Sequence, residues 1–170
     1  EYKVMGLAPY GTPKYSKLIL DHLIDLKSDG SFRLNMKYFD FATGLKMTNK
    51  NFDNLFNKEV RVPESENLDQ FHMDVAASVQ DVTETVVLKI AQHIKNEFQI
   101  NNLCLSGGVA LNCVANGKIL KNKIFKNIWI QPASGDAGGA LGAALAYLFN
   151  EKNFTRNINL NFMKGSYLGP

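Results

Sequence analysis

Twice in its second half the chain runs a short apolar stretch into a cluster of small residues and out into a helical pattern. The first instance is NLCLSGGVALNCVANGKIL, residues 102–120, and the second is IWIQPASGDAGGALGAALAYL, residues 128–148. Nothing else in the sequence constrains the fold as strongly. Two strand–loop–helix units in succession pair their strands side by side and send both loops out at one carboxyl edge, where open α/β sheets hold ligands. In the first loop, Gly107 and Gly108 let an anion approach backbone N–H groups at a helix start with no Cβ in the way. A tight strand-to-helix turn with close packing accounts for the same two glycines. The spacing matches neither the phosphate loop ending in GK[ST] nor GxGxxG, because Lys118 lies too far along and no third glycine falls in step. In the second loop, Asp136 stands among residues too small to shield it. It caps its helix, or it ligates a metal that bridges to phosphate oxygens. The small residues Gly142 to Ala146 read as helix–sheet packing.

The first half supplies different elements. EYKVMGLAPYG reads as a Gly- and Pro-containing loop. PKYSKLILDHLIDL reads as a helix started by Pro13. KSDGSFRLNMKYFDF reads as a strand pair turning at Ser28-Asp29-Gly30, with Phe32, Leu34 and Met36 alternating with polar residues. TNKNFDNLF is a short helix capped by Thr48 or Asn49. RVPESENL is a polar connector, and an internal boundary is placed near residues 61–68. From Asp69 to about Phe98 runs the longest helix, with Phe71, Val75, Val79, Val82, Val86 and Ile90 along one face.

Composition narrows the class. With 170 residues, 45% hydrophobic and 21% charged, the chain is long enough to bury a core. The formal net charge is +3, but the lysines are scattered and make no nucleic-acid footprint. No apolar run is long enough for a membrane span. Cys104 and Cys113 have neither redox nor zinc spacing and read as reduced packing residues, in keeping with a cytoplasmic protein.

Four motifs together carry a resemblance: EYKVMGLAPYG, LSGGVALNCVANGKIL, QPASGDAGGALGAAL and the closing GSYLGP. In this order, across the whole chain, they resemble those of the NodU/CmcH-type O-carbamoyltransferases. The glycine–Asn and Asp motifs also resemble those of the tRNA threonylcarbamoyladenosine synthases. The resemblance implies an α/β fold that is half of an actin-like ATPase (ribonuclease H-like) domain, a mixed sheet with flanking helices. Residues 1–170 would be a single partial domain, the C-terminal half of the actin-like part of a longer enzyme. Such enzymes make carbamoyl-adenylate from carbamoyl phosphate and ATP in a downstream domain, then pass the carbamoyl group to a small-molecule hydroxyl acceptor at a site holding a divalent metal such as Fe(II).

Carried onto this sequence, the resemblance places Gly107, Gly108 and Val109 against phosphate or the carbamoyl linkage. It places Asn112 on the nucleotide or ribose, where a helix-start cap is the alternative, and makes Asp136 one metal ligand. Lys3 would neutralise phosphate, or is a solvated loop lysine. Gln80 reads as a helix-surface residue. The family's remaining metal ligands, a His pair four apart and an Asp, belong to the preceding half. His22, His72 and His93 do not have that spacing and read as surface or helix-face residues. No general base is assignable. Two other readings share the glycine and Asp loops: the nucleotide-binding half of another actin-like enzyme (a sugar kinase or the tRNA-modifying relatives), and a non-catalytic module of the same fold. The first should lack EYKVMGLAPYG and GSYLGP.

Overall fold

The computed structural model describes residues 2–155. Glu1 and the closing motif, residues 165–170, lie outside the described residues. The chain divides into two compact units, Glu1–Phe98 and Gln99–Pro170. The division does not fall in the connector at 61–68. The long helix that follows the connector packs on elements that precede it, which keeps both sides in one unit.

In the first unit, α1 (Tyr2–Leu7) leads into a 3-10 turn at Ala8–Tyr10, followed by α2 (Ser16–His22), the strands β1 (Ile24–Leu26) and β2 (Phe32–Leu34), α3 (Lys50–Phe56) and α4 (Gln70–Phe98). The opening motif is thus helical and not a loop. Gly6 and Pro9 argue locally for a turn, but α1 and the 3-10 turn both lie along α4, and that packing overrides local preference. The helix expected to run on from Pro13 stops at His22. Asn35 Nδ2 donates to the His22 carbonyl at 2.9 Å and takes over the end of α2. After the C-cap residue Leu23, Ile24–Leu26 pair as β1.

β1 and β2 form an antiparallel hairpin with Leu26 opposite Phe32, as the alternation predicts. Met36 leaves the strand for a 3-10 turn. Gly30 is required at the turn: its φ is +90°, and a Cβ there would lie 2.5 Å from the Ile90 nitrogen of α4. α3 is capped by Asn49, whose side chain accepts from the Asn51 N–H at 3.0 Å. Ile19, Leu23, Tyr38, Phe56, Val82 and Val86 make the buried core, with Phe71, Val75 and Ile90 packed against it. Each such side chain contributes roughly 1.5–3 kcal/mol on full burial. Val79, expected on this face, is instead 40% exposed.

In the second unit, β3 (Asn102–Leu105) pairs in parallel with β4 (Asn127–Ile130), Asn102 opposite Asn127 and Leu105 opposite Ile130. Between them lie a 3-10 turn at Gly108–Leu111 and α5 (Cys113–Lys121). Leu103, Ala110, Ala115, Ile119 and Phe125 are its buried apolar residues. α6 (Gly138–Ala146) follows β4 and ends in a short π-helical turn, Tyr147–Glu151. Gly142 to Ala146, expected to pack on the sheet, are exposed. Among the described residues the chain is therefore α/β, with one antiparallel and one parallel two-stranded sheet where a single mixed sheet was expected.

Candidate functional site

The two loops of the second unit follow neighbouring parallel strands and leave them at the same edge. The Gly107 N–H donates to the Ser134 carbonyl at 2.8 Å, and the Gln131 N–H donates to the Leu105 carbonyl at 3.3 Å. These bonds extend the β3–β4 pairing past the strand ends and join the glycine loop to the Asp136 loop. Gly107 has φ +101°, which a side chain would strain. At both glycines a Cβ would meet no atom of the described residues within 4 Å. They differ in backbone conformation: Gly107 has a positive φ and Gly108 does not.

Gly108 opens a 3-10 turn whose first N–H groups have no partner within the turn. Val109, beside it, is 54% exposed. Asn112 then starts α5 as its cap, its side-chain oxygen accepting from the Ala115 N–H at 3.0 Å. Asn116 Nδ2 donates to the Ala110 carbonyl at 2.7 Å and fastens the 3-10 turn to the helix. Donors near Gly108 are thus held by two side-chain bonds.

Asp136 lies in the turn before α6 and is exposed. The N-cap position of α6 is Ala137, with no side-chain capping bond, so Asp136 does not serve as that helix's cap. Its backbone carbonyl accepts from the Gly139 N–H at 3.0 Å. Among the described residues its carboxylate enters no hydrogen bond or ion pair. Nearby, the Ser134 hydroxyl is buried without a hydrogen-bond partner among the described residues. Nothing in the sequence marks that serine out, because its exposure depends on how the loop folds over it. Among the described residues no three His, Cys, Asp or Glu side chains gather closely enough to hold a metal ion.

The other candidates lie elsewhere or differ from expectation. Lys3 belongs to α1 in the first unit and is exposed. Cys104 and Cys113 are free and exposed, not packing residues. Cys104 sits opposite Trp129 on the strand face turned away from the buried Leu103. Gln80 is buried and not on the helix surface, its Nε2 donating to Glu84 Oε1 at 2.7 Å. His93 pairs with Glu97 at 2.9 Å across one helical turn, while His72 sits beside Asp69.

Sequence reasoning missed Asp74. This α4 residue is 2% exposed. Its carboxylate accepts from Lys14 Nζ at 2.6 Å, the Thr12 N–H at 2.8 Å and Gln70 Nε2 at 2.9 Å. The Lys14 hydrogen bond first, then those from Thr12 and Gln70, hold its carboxyl far below the usual carboxylate range. Asp74 thereby ties the segment after APYG to the long helix. No sequence signal marks it out, because Gln70 and Ser78, one turn away on either side, are polar as well.

The family model described as "Carbamoyltransferase N-terminus" matches residues 1–145. An uncharacterized protein of Synechocystis sp. is 61% identical over 100% of this chain and 28% of its own length. Nodulation protein NolO of Bradyrhizobium diazoefficiens is 39% identical over 85% of this chain and 24% of its own length. Nodulation protein NolNO of Sinorhizobium fredii is 41% identical over 85% of this chain and 20% of its own length. The chain thus spans about a quarter of the length of these relatives.

Proposed function

The chain belongs to the carbamoyltransferase N-terminus family, and from that premise we propose that it serves carbamoyl transfer to a hydroxyl of a small-molecule acceptor. On this reading it is the C-terminal half of an actin-like, ribonuclease H-like domain within a longer enzyme. Carbamoyl-adenylate, formed from carbamoyl phosphate and ATP in another domain, is the donor. The observation that carries the proposal is the pair of loops joined by the Gly107–Ser134 bond, with the Asp136 carboxylate unengaged beside them.

The transfer asks little covalent chemistry of the protein. The acceptor oxygen attacks the carbamoyl carbon, and the bond from that carbon to the phosphate oxygen breaks. AMP leaves with the electron pair, and the hydroxyl proton is released. Charge grows on the departing phosphate. N–H groups at the start of the Gly108–Leu111 turn suit an anion there, and the empty space beside Gly108 lets it approach. Asn112 is committed to capping α5, so its part is to hold those donors in place, with any contact to the nucleotide added to that role. A divalent cation, Fe(II) in the family resembled, would supply Lewis-acid polarisation when bound. Asp136 would give it one carboxylate, and its other ligands would come from outside the described residues. No step above depends on it.

The deciding experiment is Asp136→Asn in the full-length enzyme. Asn keeps the size of the side chain, and at an exposed position stability should stay within ~0.5 kcal/mol. Carbamoyl-adenylate formation should persist, while bound metal falls and transfer to the acceptor drops about 100-fold, on the scale of losing one preorganised electrostatic group. Normal metal content with normal transfer would remove Asp136 from the site.

A further inference from the structure

The first unit holds a cavity of about 420 Å³ between α1, α3, α4 and the connector. It opens to the surface, and its volume falls within the range of small-molecule sites, about 300 to 1,000 Å³. Its walls include Phe52, Phe56, Phe71 and Val75. Val60 and Leu68 line it too, yet remain 66% and 48% exposed. An apolar body would find contact along all of these.

The charged residues of the lining are mostly neutralised. Lys58 meets Asp69 at 3.0 Å, and Lys50 meets Glu59 at 2.7 Å and Asp53 at 3.8 Å. His72 is beside Asp69. Arg61 differs. Its Nη1 donates to the Glu66 backbone carbonyl at 2.6 Å, while the Glu66 carboxylate accepts from the Val62 N–H at 3.0 Å. Among the described residues no carboxylate forms an ion pair with Arg61. A guanidinium carries five donors in a planar fork that matches a carboxylate, and one bond to a carbonyl leaves most of that fork unused.

We propose that this cavity binds a small organic acid with an apolar or aromatic body, the anionic group taken by Arg61 and the body lodged against Phe52, Phe56 and Phe71. The site belongs to the first unit and does not rest on the carbamoyl-transfer reading. The test uses the full-length protein and the fluorescent probe 1-anilinonaphthalene-8-sulfonate, displaced by decanoate or by the neutral 1-decanol. Decanoate should displace the probe from one site. Arg61→Gln, at a connector residue outside the buried core, should weaken decanoate about tenfold, as expected for loss of a charge-assisted pair, and leave 1-decanol unchanged. Val79→Phe, which adds bulk at a half-exposed cavity residue, should weaken both competitors with the helical circular dichroism retained. The proposal is overturned if decanoate fails to displace the probe, as it would if another segment of the protein filled the cavity. Equal decanoate binding by Arg61→Gln and wild type would overturn it as well, and so would a Val79→Phe protein that binds the probe as wild type does.

Discussion

The two units bury apolar surface very differently. In the first, α4 gathers large side chains from both sides of the chain around Phe56, Val82 and Val86, and Tyr15, Phe56 and Phe71 meet edge to face with centroids 5.6 to 6.1 Å apart. Among the described residues of the second, the buried apolar set is Leu103, Ala110, Ala115, Ile119 and Phe125, of which two are alanines. Trp129 and Tyr147 are more than half exposed there, and α6 has no buried residue at all. Parallel strands are ordinarily covered on both faces, and two strands alone are marginal. Among the described residues, the first unit holds the larger apolar core together with the Asp74 clamp, and the second carries the two joined loops.

The sharpest way to break that contrast is to weaken the second unit's core. Ile119 is fully buried, so Ile119→Ala should cost about 2–5 kcal/mol. By hydrogen exchange, amides of β3, β4 and α5 should lose protection while those of α4 keep theirs. Equal loss in both units would mean that they unfold as one, and the contrast would fail.

A pair of glycine substitutions gives the next effect. Gly30→Ala places a Cβ against Ile90 at positive φ and should destabilise the first unit by about 2 kcal/mol. Gly108→Ala meets open space, so stability should change by no more than ~0.5 kcal/mol. If an anion needs that space, carbamoyl transfer by the full-length enzyme should fall about tenfold, a loss of about 1.4 kcal/mol in transition-state binding. Unchanged transfer would return Gly108 to the role of a simple turn residue.

The smallest effect concerns acid. Hydrogen bonding by Lys58, aided by His72, lowers the Asp69 carboxyl from 3.8 to about 2. A group whose folded value is depressed contributes stability that is complete above its unfolded value and is lost as pH falls through the folded one. The first unit should therefore weaken between about pH 4 and pH 2, and Asp69→Asn should flatten that slope in thermal melts followed against pH. An unaltered slope would assign the acid sensitivity elsewhere, with Asp74 the next group to examine.

How much of this was readable from the residues depends on the range of the forces involved. α4 was legible nearly to its ends because 29 residues run without Gly or Pro and with apolar residues every three or four positions. The hairpin was legible because alternation and the Asp29-Gly30 turn agree. The parallel pairing of β3 with β4 followed from two strand–loop–helix patterns in succession. α1 was not legible, because Gly6 and Pro9 signal a break while contact with α4 decides the outcome. Neither was the burial of Gln80 and Asp74, because periodicity counts apolar residues and is blind to polar groups that satisfy one another. Sequence offered Gly107, Gly108 and Asp136 as candidates, but it left Asp136 open between helix cap and metal ligand. The placement of Ala137 at the N-cap of α6 removes the cap reading.

The bond between the Gly107 N–H and the Ser134 carbonyl has an evolutionary consequence. Both partners are main-chain groups, and every residue type offers a carbonyl at position 134. Substitutions in the second loop can therefore change the chemistry displayed beside Asp136 without severing the link that keeps the two loops in register. Descendants of such a chain can alter loop side chains while inheriting the spacing of the loops unchanged.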